Sequence, residues 1–356
     1  MPFLSRLLVG LSLAGSFDSA SAQTTGATSA PFGYSTVTLP ANSETWVSVP
    51  FERPAVFSGQ VASVAASVVT VAATPNWTAN QFAYVAGTQP ARYYLFFRSG
   101  AKEGHCYTVT ANTANSLTLE LDDVPLSGVS AGDSFRLVPY WTLGTLFPAT
   151  NAGLVYTATT SPASPETVIL PSDPRAPAIN PSSAGFMFYS GAWRQVGGNL
   201  SVSQDDQILH PGTYFRVRNG TNGGVLVAAG AVVMEKHAVV LRTQVGSPRD
   251  NPVALLRPLP LSLNDAGLVG SGAFASSSNA LARSDMLMVF DNTEARLNKP
   301  ATDYFIFHGG GWRKLGQPLS QDFGNEIVFG PAKGVVIRKA ATTDGAPQTW
   351  VNRPSY

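Results

Sequence analysis

The sequence has few of the residues from which disulfides and many catalytic sites are built. It contains one cysteine, Cys106, and four histidines in 356 residues. A single cysteine cannot form an intramolecular disulfide or supply a cysteine-based zinc site. Cys106 lies in the strand-like run 105–110, where we expect it to be a buried, small apolar residue. Its neighbour His105 then faces the opposite side of the strand, so we predict no activated thiol.

Recognised catalytic and metal-binding motifs are also missing. No histidine belongs to a His-x-His or His-Glu-x-x-His pattern, and there is no Gly-x-Ser-x-Gly elbow or calcium-type Asp/Asn ladder. Four carboxylates could pair for sugar hydrolysis, but we interpret them as turn residues beside strands: Asp205, Asp206, Asp322 and Glu326. The sequence therefore predicts a protein that is not an enzyme and that holds no metal or cofactor.

Charged residues are scarce as well, at 13% of the chain, about half of the ~25% usual in soluble domains. The formal net charge is +1, so nothing in the composition favours binding to nucleic acid or to an anionic membrane surface. A chain with little charge has much neutral surface, which is compatible with self-association. Glycine and proline are abundant instead, at 33 and 26 residues, as expected of a β-protein with many turns.

The first 22 residues have the three parts of a secretory signal peptide. Arg6 supplies the positive start, residues 7–14 are apolar, and Ala20-Ser21-Ala22 is a small-residue cleavage pattern. The apolar run is too short to span a bilayer, and the sequence ends without a hydrophobic tail, so we expect no transmembrane anchor. We predict cleavage near Ala22 and a secreted location, extracellular or periplasmic.

One stretch of the chain occurs twice. Residues 186–197 (FMFYSGAWRQVG) and 305–316 (FIFHGGGWRKLG) are identical at six of twelve positions, at an offset of 119 residues (312 − 193). Alternating large apolar residues, a glycine cluster and a Trp-Arg pair predict a strand, a tight turn and a second strand. An ungapped match at a fixed offset indicates duplication.

We predict an all-β protein with a small N-terminal β-barrel or sandwich module followed by two tandem duplicated β-units. Short runs rich in β-branched residues, separated by turn residues, predict the module. No long amphipathic helical pattern is present, so we expect little helix. The predicted boundaries are 1–22 for the signal peptide, 23–50 for a flexible or extended segment, 51–142 for the β module, 143–250 for the first repeat and 251–356 for the second.

Several short segments together carry a resemblance to a known family. They are 99–104 (SGAKEG), 111–113 (ANT), 132–133 (GD), 141–148 (WTLGTLFP), 298–300 (NKP) and 311–316 (GWRKLG). With these segments the chain resembles a paralogous family of uncharacterised, signal-peptide-bearing proteins from Verrucomicrobia and related bacteria. The resemblance covers nearly the whole mature chain, and its WTLGTLFP and WRKLG stretches are fairly specific. It implies an exported bacterial protein and implies no activity or catalytic residue.

Aromatic residues beside arginines are the strongest candidates for a binding role. The candidate binding residues are Trp193, Arg194, Trp312, Arg313, Tyr140 and Trp141. Each indole of a Trp-Arg pair could stack on a sugar ring while the arginine donates hydrogen bonds to hydroxyls or carboxylates. Alternatively, each indole fills a core or an interface beside a tight turn. We favour this structural interpretation because adjacent strand residues face opposite ways, so one ligand rarely meets both side chains.

The sequence favours an exported, non-enzymatic β-rich protein with a structural, surface or assembly role. One alternative is a carbohydrate-binding array, which an exposed row of Trp193, Trp312 and Tyr140 would favour. A less favoured alternative is a secreted hydrolase, which would need a cleft gathering two acids or a histidine with an acid. The expected partners are further copies of the chain or a cell-surface polysaccharide. We also expect the two repeats to pack together, because the junctions are short and apolar.

Overall fold

The structure, a computed structural model, describes residues 31–176 and 184–354. The predicted signal peptide, residues 1–22, lies outside the described residues. The described chain is all-β, which confirms the predicted fold class. Its helical residues are the short helix α1, Leu143–Leu146, and a 3₁₀ turn, Ala149–Asn151.

The described residues form 24 strands, numbered in chain order. Two strands come first: β1 (Phe32–Leu39) and β2 (Ser43–Val47). Six follow in the predicted module: β3 (Phe57–Ala65), β4 (Val68–Val71), β5 (Tyr93–Phe97), β6 (Cys106–Asn112), β7 (Ser116–Leu119) and β8 (Ser134–Pro139). The next seven are β9 (Trp141–Thr142), β10 (Thr167–Pro171), β11 (Phe186–Tyr189), β12 (Ala192–Gln195), β13 (Ile208–Leu209), β14 (Phe215–Asn219) and β15 (Gly224–Ala231). The last nine are β16 (His237–Leu241), β17 (Arg249–Ala254), β18 (Leu261–Ser262), β19 (Met286–Val289), β20 (Asp303–His308), β21 (Gly311–Lys314), β22 (Ile327–Phe329), β23 (Gly334–Lys339) and β24 (Gln348–Asn352).

Strands β3 to β8 close into a six-stranded antiparallel barrel, in the order β3-β4-β7-β6-β5-β8. This confirms the predicted N-terminal barrel or sandwich module and shows that it is a barrel. Apolar side chains recur at every second position of its strands, so one face of each strand fills the interior. The core of the barrel includes Val69, Leu95, Phe97 and Phe135, all fully buried.

The remaining strands form two sets with the same organisation. The first set has a five-stranded sheet β12-β11-β10-β14-β2, a ribbon β1–β15 and a short pair β9–β13. The second set has a sheet β21-β20-β19-β23-β17, a ribbon β16–β24 and a short pair β18–β22. Taken in chain order, each strand of one set has a counterpart in the other. We call these sets the first and second β-unit, and the barrel interrupts the first unit between β2 and β9.

This pairing differs from the boundaries drawn from the sequence. Residues 43–47, predicted within the segment 23–50, form the buried strand β2, which pairs with β14 of the first β-unit. Strands β16 and β17 pair with β24 and β23 and so belong to the second β-unit, although the predicted first repeat, 143–250, contained all of β16 and the first two residues of β17. The similarity between the two copies weakens with distance from the Trp-Arg hairpin. The predicted boundaries were therefore placed at turn-rich stretches, which do not show which strands pair.

The two matched sequence segments form the same hairpin in both β-units. Ser190-Gly191 joins β11 to β12, and Gly309-Gly310 joins β20 to β21. All four residues have positive φ, at 50°, 80°, 59° and 76°, as a two-residue type I′ turn requires. Glycine adopts this conformation without a Cβ clash, which explains the glycine cluster in the sequence.

Apolar clusters join the two β-units to each other and to the barrel. Between the units, Trp46 and Tyr214 pack with Met288 and Phe290. The rings of Trp46 and Phe290 are stacked, with centroids 3.6 Å apart. A second cluster joins the barrel to both units and contains Tyr94, Phe96, Val138, Tyr140, Ile208, Val233 and Leu256. The two β-units therefore pack against each other, as expected from the sequence, and are not separate domains joined by a linker.

Candidate functional site

The two tryptophans considered for sugar stacking are core side chains. Trp193 is 0% exposed and Trp312 is 2% exposed. Trp193 packs against Phe188, and its Nε1 donates a hydrogen bond of 3.0 Å to the carbonyl of Phe147. Trp312 packs against Phe274 in the second β-unit. Neither indole offers an exposed face to a sugar ring, so stacking would require the core to open.

A carboxylate beside each tryptophan holds the local backbone. Oδ1 of Asp205 accepts the backbone N–H of Trp193 at 2.8 Å, and Oδ1 of Asp322 accepts that of Trp312 at 2.9 Å. The same oxygen of Asp322 also accepts the N–H of Gly324 at 3.0 Å. Both carboxylates thus stabilise turns at matching places in the two β-units.

The other four candidate residues have separate surroundings. Arg194 is half-buried on β12, and Arg313 on β21 donates to a backbone carbonyl at 2.9 Å. Tyr140 is buried at the junction of the barrel and the first β-unit, where its hydroxyl hydrogen-bonds a threonine of β6 at 2.8 Å. Trp141 is half-buried, and its Nε1 donates to a backbone carbonyl at 3.0 Å. The six candidates therefore do not form an exposed row.

A cleft of about 840 Å³ lies between the barrel and the first β-unit. One wall is formed by residues of the barrel segment 84–91, and the other by residues within 142–149 and 202–206. Thr142 and Thr145 fix the second wall, because each side chain accepts the backbone N–H of the other in a capping box at the start of α1. The volume suits a small ligand or a short stretch of a polymer.

Several polar groups of the cleft already have partners. The Tyr84 hydroxyl donates to the carboxylate of Asp206, which raises the pKa of Tyr84. The guanidinium of Arg92 lies 4.0 Å from the centre of the same tyrosine ring. Arg53 donates to the carbonyl of Tyr140 at 3.2 Å, and burial lowers the pKa of Arg53. Among the described residues that line the cleft there is no histidine, and its two carboxylates, Asp205 and Asp206, each accept a hydrogen bond.

Three of the four histidines line a second cavity, of about 110 Å³, that the sequence did not predict. His105 comes from the barrel, His210 from the first β-unit and His237 from the second. Burial lowers the pKa of each imidazole to about 4, so all three are neutral at pH 7. Cys106 lines the same cavity, and burial raises the pKa of its thiol, which disfavours the reactive thiolate. Across residues 31–176 and 184–354, no three His, Cys, Asp or Glu side chains are placed to hold a metal ion.

The ribbon β1–β15 presents an apolar, uncharged face to solvent. Phe32 and Tyr34 on β1 are 70% and 78% exposed, and Val227 on β15 is 57% exposed. The stretches 31–43 and 219–234, which contain the two strands, include no Asp, Glu, Lys or Arg. Eight residue pairs join the strands without a register shift. Apolar surface of this kind commonly marks a protein–protein contact.

Strand β1 also has a free edge. In the part of the chain that the structure describes, β1 pairs with β15 alone. Ala231 on β15 exchanges two backbone hydrogen bonds with Glu52, at 3.0 and 2.9 Å, so Ala231 and its cross-strand partner Phe32 form a non-hydrogen-bonded pair. By the alternation of an antiparallel ladder, the backbone N–H and C=O groups of Tyr34 and Thr36 also point to the free edge.

Known proteins offer no template for these sites, since no protein-family model, curated protein or solved structure matches the chain. Among the described residues, no helix combines the length and the apolar character that crossing a membrane requires.

Proposed function

We propose that this chain is an exported, non-enzymatic β-protein with a structural role, and that it assembles with a second copy of itself through the β1–β15 ribbon. The observation that carries the proposal is the free, uncharged edge of β1 beside an exposed apolar face. Export is inferred from the signal-type sequence of residues 1–22. We also infer that the two β-units arose by duplication, because they share both a sequence segment and a strand order.

The edge of β1 lacks the usual protection against pairing. Native edge strands are commonly blocked by lysine, by proline, by a bulge or by a covering loop. Between Phe32 and Leu39 the sequence FGYSTVTL has no charge and no proline, and its pairing with β15 has no bulge. The backbone groups along this edge can therefore extend the ribbon by one more strand.

The counterpart of this edge in the second β-unit is covered by the barrel. The backbone N–H of Ala238 on β16 donates to the carbonyl of Gly104 at 3.0 Å, and Lys236 forms an ion pair of 2.6 Å with Glu103. Strand β16 is mostly buried, whereas β1 alternates between exposed and half-buried residues. The edge of β16 is therefore covered within the chain, whereas the corresponding edge of β1 is exposed. This difference supports the proposal that a partner strand covers β1.

A second copy suits the open edge better than a charged partner. The face carries no charge that could select such a partner. Two identical β1 edges can pair antiparallel about a twofold axis, which gives a four-stranded sheet β15-β1-β1-β15 across the dimer. Eight residues at ~3.4 Å each give about 27 Å of strand contact. Phe32 and Tyr34 of both copies add apolar area at that contact.

Analytical ultracentrifugation of the mature chain over a concentration series tests the proposal. We expect a dimer for the unmodified chain. Thr36→Pro removes an N–H from the free edge and takes no donor from the β15 ladder, and proline is tolerated on edge strands. We therefore expect at least tenfold weaker dimerisation with an unchanged circular dichroism spectrum.

A matched control distinguishes an effect of the ribbon from the effect of changing any exposed residue. Leu281→Lys adds a charge at a leucine of the second β-unit that is 91% exposed, and it should leave the dimer intact. A chain that remains monomeric at every concentration contradicts the proposal. So does a dimer that Thr36→Pro leaves unchanged.

The cleft supports a second candidate function, the binding of a cell-surface polysaccharide. Tyr84 is the half-buried aromatic residue of the cleft, with Arg53 and Asp206 as hydrogen-bonding groups nearby. Affinity electrophoresis against a panel of soluble polysaccharides should show retardation by one of them, lost in Tyr84→Ala and kept in the control Leu281→Ala, which changes an exposed residue outside both the cleft and the ribbon. Absence of retardation by every polysaccharide, or retardation that Tyr84→Ala does not change, counts against this function.

A further inference from the structure

A cavity of about 290 Å³ lies between the two β-units, apart from the cleft and the ribbon. The first β-unit contributes Glu44 and Trp46 from β2, and the second contributes Phe290 and the segment Asn298-Lys299-Pro300. The loop that follows Phe290 is fixed against the edge of β2. The side chain of Asn292 accepts the backbone N–H of Trp46 at 3.0 Å and donates to its carbonyl at 2.8 Å.

Two polar groups of this cavity are buried without a partner. Lys299 is 8% exposed, and its Nζ has no hydrogen-bond partner among the described residues. Trp46 is 2% exposed, and its Nε1 is likewise unpartnered among them. Asp291 and Glu294, on the same loop, and Glu44 on β2 attract the Lys299 ammonium at longer range, but none of the three lies within ion-pair distance of it. Buried donors are normally satisfied, so two unsatisfied donors at one cavity favour a ligand that accepts hydrogen bonds.

The other charged groups around the cavity are paired with one another. Glu44 forms ion pairs with Arg216 at 2.7 Å and with Arg218 at 2.8 Å. Arg338 donates two hydrogen bonds to the carboxylate of Asp250, at 2.7 and 3.0 Å. Because these side chains bond to each other, none of them is an ion-pair partner of Lys299. The ammonium of the lysine is the buried positive charge that has no close counter-charge.

We propose that this cavity binds a small organic carboxylate with an apolar body. The carboxylate accepts hydrogen bonds from Nζ of Lys299 and Nε1 of Trp46. The apolar body packs against Met288, Phe290 and Tyr304, which line the same cavity. One uncompensated ammonium matches a single negative charge, and the aromatic walls favour an organic anion over a hydrated inorganic one. The volume equals that of about ten water molecules at ~30 Å³ each, which accommodates a single-ring acid.

Thermal unfolding with benzoate and with benzamide tests the site. The two probes share a ring and differ in charge, so the comparison isolates the carboxylate. We expect benzoate to raise the melting temperature of the mature chain in a concentration-dependent way, because it binds the folded state. Benzamide should give no comparable rise. An absent benzoate response, or an equal response to both probes, overturns the proposal without any variant.

Substitution of Lys299 tests whether benzoate binds in this cavity. Lys299→Met should weaken benzoate binding at least tenfold, and the unliganded variant should melt no lower than the original chain, because an unpaired buried charge is replaced by an apolar side chain. Lys333→Met changes an exposed lysine and should keep the benzoate response. Trp46→Phe keeps an aromatic ring and removes the indole N–H, so it should weaken benzoate binding. Full benzoate affinity in Lys299→Met or in Trp46→Phe refutes the assigned contacts.

Discussion

Removing the indole of Trp312 should strongly destabilise the second β-unit. The side chain is 2% exposed, with its ring 4.9 Å from that of Phe274 and 5.6 Å from that of Phe307. Replacing a buried Trp by Ala costs about 3–5 kcal/mol, since apolar burial is lost and a cavity is left behind. We expect Trp312→Ala to lower the free energy of unfolding by that amount.

The equivalent change in the first β-unit should cost at least as much. Trp193 is fully buried and also donates from Nε1 to the carbonyl of Phe147 at 3.0 Å. Trp193→Ala removes the packing and leaves that carbonyl without its donor, which adds about 1–3 kcal/mol if the group stays buried. Trp193→Phe retains most of the ring packing and should show mainly the loss of the hydrogen bond.

Urea unfolding followed by circular dichroism measures these costs. The β-units can unfold in separate steps, so the free energy is compared for the transition that each variant shifts. Leu281→Ala is the control, because a leucine that is 91% exposed should contribute within about 0.5 kcal/mol. A Trp312→Ala chain within about 1 kcal/mol of the original would refute the core assignment. Unchanged stability together with lost ligand binding would restore the stacking role.

Two further perturbations test the buried polar groups. Stability should fall as the pH drops from about 6.5 to about 4. The pKa values of His105, His210 and His237 are lowered in the folded chain, so over this window the unfolded chain binds protons that the folded chain does not. Urea midpoints that stay constant over this window would contradict the prediction. Asp285→Ala should cost about 3–5 kcal/mol, because it leaves the Lys339 ammonium buried without its carboxylate. The double variant with Lys339→Met should recover much of that loss, and a fully additive loss would contradict the pairing.

Features that depend on neighbouring residues could be predicted from the sequence. The hairpin of residues 186–197 follows from alternating aromatics around the turn Ser190-Gly191, whose φ values are positive. A small β module within 51–142, barrel or sandwich, follows from short β-branched runs separated by turn residues, and the structure shows that it is a barrel. Both signals act over fewer than about ten residues, the range over which strand period and turn chemistry operate.

The discontinuity of the first β-unit could not be predicted in this way. The sequence predicts residues 23–50 as a flexible or extended segment, which does not indicate the sheet that β2 joins. Strand β2 pairs with β14, and the ion pair of Glu44 with Arg216 spans 172 positions in the chain. Such a partner is selected by the shared core and by closure of the sheet, which leave no local pattern.

The cavities could not be predicted from the sequence for the same reason, because each is lined by side chains from separate parts of the chain. His105, His210 and His237 meet because the barrel packs against both β-units. Lys299 is buried because its loop closes over β2 of the other unit. A lysine beside a proline gives no sign of burial in the sequence. The alternation around Trp193 likewise placed it on one face of a strand, and only the packing of the sheet shows that this face is the core.

The barrel has the properties of an autonomous insertion. In the second β-unit only residues 255–260 connect β17 to β18, whereas in the first unit the corresponding connection, between β2 and β9, contains the whole barrel. The two ends of the barrel lie side by side, because Phe57 pairs with Leu137. An insertion whose ends are adjacent can be added to a folded unit with little strain, and the barrel has a core of its own.

Separating the barrel from the β-units tests this organisation. Residues 53–139 expressed alone should give a β-type circular dichroism spectrum and a cooperative thermal transition. The chain in which those residues are replaced by the LLRPLP sequence of 255–260 should also fold, with lower stability, because the cluster around Ile208 and Leu256 loses its barrel partners. An unfolded barrel fragment together with an unfolded remainder would mean that the two parts share one folding unit. In that case the first β-unit would need the inserted barrel in order to fold. It would then share its strand order with the second β-unit but not the ability to fold without the barrel.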